Sequence, residues 1–214
     1  MRHLKVPFAV LLGLVLCLYL LLFPPLGGGS KVNSSVDTTL HDSGVDFVYE
    51  KIVLEVEPPE LTVTGLYSFQ NHFPHEIILP MLYPFPVDES QDFPHQISAF
   101  RITNEGDERL DVTSRRPANA VRLDLSMGRK SSGEMKVTYS QKLRAQEARY
   151  ILTTTKAWGK PLRSADYEII VPENLRIISM SFPFDGVETS AGKRHYYLHK
   201  EDFMPQTDLI VRWD

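Results

Sequence analysis

Tyr150-Ile151-Leu152-Thr153-Thr154-Thr155-Lys156-Ala157-Trp158-Gly159-Lys160-Pro161-Leu162 is the stretch whose reading decides the fold. Its first half is rich in β-branched residues, which suit a pleated, half-buried surface. Trp158-Gly159-Lys160-Pro161 then forms a corner, because glycine and proline set backbone angles that a continuing strand does not use. A second β-type run, Ala165 to Val171, leads away to Pro172. The segment predicts two strands joined by a turn. Trp158, one of two tryptophans in the chain, is expected to plug the core at the bend.

The same texture extends in both directions. Phe47 to Val56 and Leu61 to Phe69 flank Glu57-Pro58-Pro59-Glu60. In the second run Leu61, Val63, Gly65, Tyr67 and Phe69 share one face and Thr62, Thr64, Ser68 and Gln70 the other, with Leu66 as the exception. Period two marks a half-buried strand. Four prolines between residues 74 and 86 forbid a continuous central strand there, so Glu76 to Pro86 reads as an edge strand or a crossover, and Tyr83 to Pro86 is the edge expected to meet a partner. His95 to Thr103, Arg109 to Thr113, Val121 to Leu125, Glu134 to Lys142, Leu175 to Phe182, Lys193 to His199 and Asp208 to Trp213 complete the set. Gln141 to Ala148 lacks a helix-capping pattern and reads as a strand end and loop. Tight turns are expected at Asp185-Gly186 and Ala191-Gly192. Roughly ten to twelve short strands with regular turn signals predict an all-β fold, an immunoglobulin-like antiparallel β-sandwich preceded by one N-terminal hydrophobic helix.

That helix is read from Arg2, His3 and Lys5 followed by the apolar run Val6 to Phe23, eighteen positions closed by Pro24-Pro25. The pattern fits a signal anchor or a signal peptide, and eighteen falls at the short end of what spans a bilayer. Basic residues ahead of the run place the domain on the extracytoplasmic side, membrane-anchored, or secreted or periplasmic if the segment is cleaved. The division is 1–26 anchor or signal peptide, 27–44 flexible Gly/Ser/Thr/Asp-rich linker, and 45–214 β-sandwich domain.

Charge is balanced, 23 basic against 27 acidic side chains, which provides no field for nucleic acid. The one cysteine, Cys17, lies in the apolar run, so the sandwich has neither a disulfide nor a cysteine zinc site.

Tyr83-Pro84-Phe85-Pro86, Tyr150-Ile151-Leu152-Thr153-Thr154, Trp158-Gly159, Pro161 and Ala165-Asp166-Tyr167 together resemble bacterial extracytoplasmic β-sandwich domains of unknown function. The ending Phe203 to Trp213, in which a Pro-x-x-Asp turn feeds a hydrophobic strand, resembles the closing strand of vault/inter-alpha-trypsin (VIT-type) domains. The first resemblance implies a sandwich behind a signal or anchor. Neither supplies catalytic residues.

Motifs for chemistry are sparse. His72 and His75 flank a turn, and His195 and His199 would stand roughly 13 Å apart on one strand face, too far to share an ion. Asp107-Glu108 reads as solvated charge at a hairpin tip rather than a glycosidase pair. No nucleophile elbow, phosphate loop or dinucleotide fingerprint occurs, so no cofactor, metal or catalytic residue is assigned. Tyr83, Phe85, Tyr150, Trp158, Tyr196 and Tyr197 are the candidate interaction or structural residues. Tyr196 and Tyr197 must face opposite sides of their strand. The expected function is a non-enzymatic interaction or scaffold module that recognises an envelope or membrane protein. A carbohydrate-binding module using exposed aromatics is the alternative, and a hydrolase comes third.

Overall fold

A computed structural model describes residues 44–115 and 119–214. The predicted N-terminal hydrophobic helix, Cys17 and the linker up to residue 43 lie outside the described residues. Among the described residues, no helix is long and apolar enough to cross a membrane.

The described chain runs β1 (Val45–Glu57), β2 (Glu60–Asn71), β3 (Ile77–Pro84), β4 (Gln96–Ile102), β5 (Glu108–Arg109), β6 (Thr113–Arg115), β7 (Ala120–Met127), β8 (Ser132–Lys142) and β9 (Glu147–Tyr150). A 3-10 helix (Thr153–Trp158) follows, then β10 (Leu162–Pro172), β11 (Ile177–Met180), β12 (Gly186–Ser190), β13 (Lys193–Phe203) and β14 (Leu209–Trp213). Three sheets result. One has eight strands in the order β12-β13-β10-β1-β2-β8-β4-β5, and two have three, β11-β14-β9 and β3-β7-β6.

The alternation read from the sequence is what the large sheet uses. In β2 every odd-numbered residue from Leu61 to Asn71 is buried and every even-numbered one is half-exposed. Tyr83 of β3 and Tyr150 of β9 reach the Tyr67 side chain of β2. Both small sheets therefore pack on the inner face of the large one, and one continuous core joins all three. Ile77–Pro84 is an edge strand, as its prolines require, paired on one side to β7.

Four expectations need correction. The large sheet is not purely antiparallel, since β1 and β10 run parallel, Tyr49 opposite Ser164 through Glu55 opposite Ile170. A parallel neighbour needs a long crossover, and the chain supplies it by building β3, β7 and β9 of the small sheets before returning to the free side of β1. The β-branched run after Tyr150 is not strand. Thr153, Thr154 and Thr155 form the 3-10 helix because Asp208 Oδ1 accepts hydrogen bonds from Leu152 N–H, Thr153 N–H and the Thr153 hydroxyl. Arg109 to Thr113 is not one strand: β5 ends at Arg109, and Leu110 N–H turns back to the Ala99 carbonyl. Asp185-Gly186 is not a hairpin turn, as Gly186 opens β12. Ala191-Gly192 does form a two-residue turn, both residues having positive φ (51° and 74°), as the primed hairpin type demands.

Candidate functional site

The six aromatic candidates separate by depth. Phe85, Tyr150 and Tyr196 are buried core residues, and Phe85 meets the rings of Tyr83, Phe93 and Tyr139. Trp158 is half-buried, its ring centroid 5.7 Å from Phe47 and 5.4 Å from Phe69. Tyr197 faces outward, half-exposed and stacked on His195, so the two adjacent tyrosines do take opposite faces. Tyr83 and Tyr150 are brought together. Tyr67 lies between them, its hydroxyl 2.6 Å from that of Tyr83 and 2.8 Å from that of Tyr150.

Beside this trio sits a group that the sequence reading passed over, Glu50. Between Phe47 and Tyr49 the pairing of β1 with β2 shifts by one residue, a β-bulge. Before it Val45 and Phe47 point inward. After it Glu50, Ile52, Leu54 and Val56 do. The bulge thus aims a carboxylate into the core, 3% exposed and directly opposite Tyr67. The Tyr167 hydroxyl donates to Glu50 Oε1 at 2.5 Å. Burial pushes the Glu50 carboxyl up to about 7, against the opposing pull of Tyr167. Burial also holds the hydroxyls of Tyr67, Tyr83 and Tyr150 well above the usual phenol range, and the nearby Glu50 carboxylate adds to it. A signal was present in the sequence: Glu50 occupies the same even-numbered row as Ile52, Leu54 and Val56.

Room for Tyr67 comes from Gly65, two residues back on the same face. A methyl group there would stand 2.0 Å from the Tyr67 hydroxyl oxygen and 2.4 Å from the ring carbon bearing it. The tyrosine ring lies over the glycine and reaches the small sheets. The Tyr139 hydroxyl is buried beside Tyr83 without a hydrogen-bond partner among the described residues.

The outward face of the same strands carries histidine–carboxylate pairs. His199 Nδ1 is 2.7 Å from Asp166, which also accepts from the Tyr49 hydroxyl at 2.8 Å. The Asp166 bond raises the His199 pKa above its usual range. Burial would raise Asp166, but the His199 and Tyr49 bonds outweigh it and hold the carboxyl low. Tyr49 is pushed up to about 12, first by burial and then by Asp166. His195 Nδ1 lies 2.8 Å from Glu168, and its Nε2 3.5 Å from the Ser190 hydroxyl. That order of groups resembles a nucleophilic relay, but a working relay also needs donors aimed at a bound carbonyl. Two open surface depressions lie elsewhere. One, about 590 Å3, is lined by Arg101 and the loop from Thr103 to Glu108, and the other, about 400 Å3, by Arg109 to Asp111, Thr113, Arg122 and Asp124. Asp107 and Glu108 both line the first depression, but each is held in an ion pair, Asp107 with Lys136 and Glu108 with Arg101, at 3.1 Å. His72 pairs with Asp46, and His75 stacks on Phe73.

The sequence matches the family model described as "Domain of unknown function (DUF4424)" over residues 31–211, and the chain belongs to that family. No curated protein matches it. Among solved structures it is similar to a Legionella pneumophila protein, described provisionally as a nutrient binding protein, at 14% identity and TM-score 0.56, covering 78% of this chain and 66% of that one. It is also similar to an M1 zinc metallopeptidase from Deinococcus radiodurans bound to a Tyr-Ser-Ala substrate, at 14% identity and TM-score 0.50, covering 81% of this chain and 44% of that one. Both likenesses concern the fold alone. The chain spans less than two thirds of either protein.

Proposed function

We propose that this member of the family is an extracytoplasmic interaction module without catalysis of its own, built on a broadly immunoglobulin-like sandwich and held at the membrane by residues 1–26. The observation that carries the reading is β3. It is an edge strand whose inward row, Ile77, Leu79 and Met81, packs on the core, while Ile78 (67% exposed) and Pro80 point out. An edge strand with an apolar outward row suits the addition of a partner segment, with main-chain bonds giving affinity and side chains selectivity. Proline in that edge restrains unselective pairing. The edge sought between Tyr83 and Pro86 thus moves upstream, because Phe85 is spent on the core. The VIT-like reading of Phe203 to Trp213 belongs to the same proposal, with β14 as the centre of its three-stranded sheet.

Co-purification of the full chain from membranes tests this. The account expects a membrane-protein partner that is lost, at least tenfold, with Ile78→Asp, while the variant keeps its far-UV spectrum. A partner retained by Ile78→Asp, or none captured under several detergents, contradicts it.

The description of the Legionella protein favours a second reading, small-solute binding. Of the three candidates that are only half-buried, Tyr83, Trp158 and Tyr197, the last two stand apart from the Glu50 cluster and are the ones available for it. A glycan and nutrient screen with Tyr197→Ala decides between the two, and only solute binding lost in that variant supports the second.

A further inference from the structure

We propose that the Glu50–tyrosine cluster is a proton-operated latch between the large sheet and the two small ones: with Glu50 protonated the layers are closed, and with Glu50 ionised they loosen.

The argument begins with position. Glu50 stands on β1 where all three sheets meet. From β2 it faces Tyr67, from β10 Tyr167, from β3 Tyr83 and from β9 Tyr150, with Tyr139 of β8 adjoining Tyr83. Every one of these groups is an uncharged phenol at neutral pH. Among the described residues, the influences on the Glu50 charge are burial and one hydroxyl, with no cation among them. A buried carboxylate without a cation is expensive, so such a group either neutralises or draws in water. The hydroxyl bridge Tyr83–Tyr67–Tyr150 is also a polar link between the large sheet and both small sheets, at the Glu50 end of the interface, while the Gln91 side chain separately joins Gln141 of β8 to Arg149 of β9. In this proposal water drawn to an ionised Glu50 enters between the layers and parts that link, whereas the main-chain ladders within each sheet need not open.

The sign follows from linkage. The Glu50 pKa is raised from 4.5 to about 7 in the folded chain. Between those two values the folded state holds a proton that the unfolded state has released, so stability falls as pH rises through this window. Below it Glu50 is neutral in both states and no penalty arises. Above about 7 the penalty is complete.

The test is thermal unfolding of the full chain from pH 5 to pH 8, compared with Glu50→Gln, which keeps the shape and cannot titrate. Wild type should lose about 5–10 °C more than the variant across that range. Wild-type amides in β3 and β9 should also exchange faster at pH 8 than the chemical rate explains, with no such excess in Glu50→Gln and none in the β10–β13 pair. Should Glu50→Gln fail to fold, Tyr167→Phe gives an independent arm. Losing the hydroxyl that favours the charged form should move the carbon-NMR midpoint of Glu50 above its wild-type value. Equal pH slopes in wild type and Glu50→Gln, or a wild-type midpoint near 4.5, overturn the proposal.

Discussion

Gly65, Tyr67 and Glu50 form a chain of dependence within three neighbouring positions of two strands. The absent side chain of Gly65 lets Tyr67 lie down, Tyr67 links Tyr83 to Tyr150, and Glu50 sits opposite. Gly65→Ala should therefore cost about 1–3 kcal/mol by forcing Tyr67 off its site. The urea midpoint should fall accordingly, and an unchanged midpoint would mean that the ring relaxes without loss. At this scale the sequence was legible wherever parity alone decides direction. The two faces of Tyr196 and Tyr197 and the whole of β2 follow from period two. Glu50 was harder. A bulge reverses the parity of β1, so Tyr49 and Glu50 exchange the sides that continuation from Phe47 assigns them.

The element that connects β9 to β10 shows where local propensity yields. Three consecutive threonines favour extended backbone, yet Thr153–Trp158 is a 3-10 helix because a carboxylate far along the chain collects its first donors. Asp208 belongs to the Pro-x-x-Asp turn that precedes β14, so the turn and the corner at Trp158 hold one another. Gly159 ends the helix at φ 71°, a conformation that glycine reaches without strain. Asp208→Ala should destabilise the domain by about 1–2 kcal/mol, whereas Asp208→Asn, which keeps an acceptor, should recover most of the loss. Thermal melts of the pair check this, and equal melting points for wild type and Asp208→Ala would contradict it. The corner was readable from Trp-Gly-Lys-Pro. Its conformation was not, since the residue that sets it is 55 positions away from Thr153.

For the whole molecule, turn spacing and alternation predicted the all-β class, while the parallel β1–β10 pair and the division into three sheets depend on contacts that no local pattern encodes. The candidate site was legible only in part. Tyr83 and Tyr150 were singled out, and the structure joins them through Tyr67 and sets them beside Glu50. The same layering leaves β3 with its inward row in the core and Ile78 in solvent, which is the basis of the functional proposal. The most direct measurement of that claim is photocrosslinking in intact cells. A benzophenone amino acid would replace Ile78 on the β3 edge or, as a control, Thr64 on the outward face of the large sheet. The account predicts a discrete adduct with one membrane protein from position 78 and none from position 64. Equal adducts from both positions, or none from position 78, would contradict recognition through this edge.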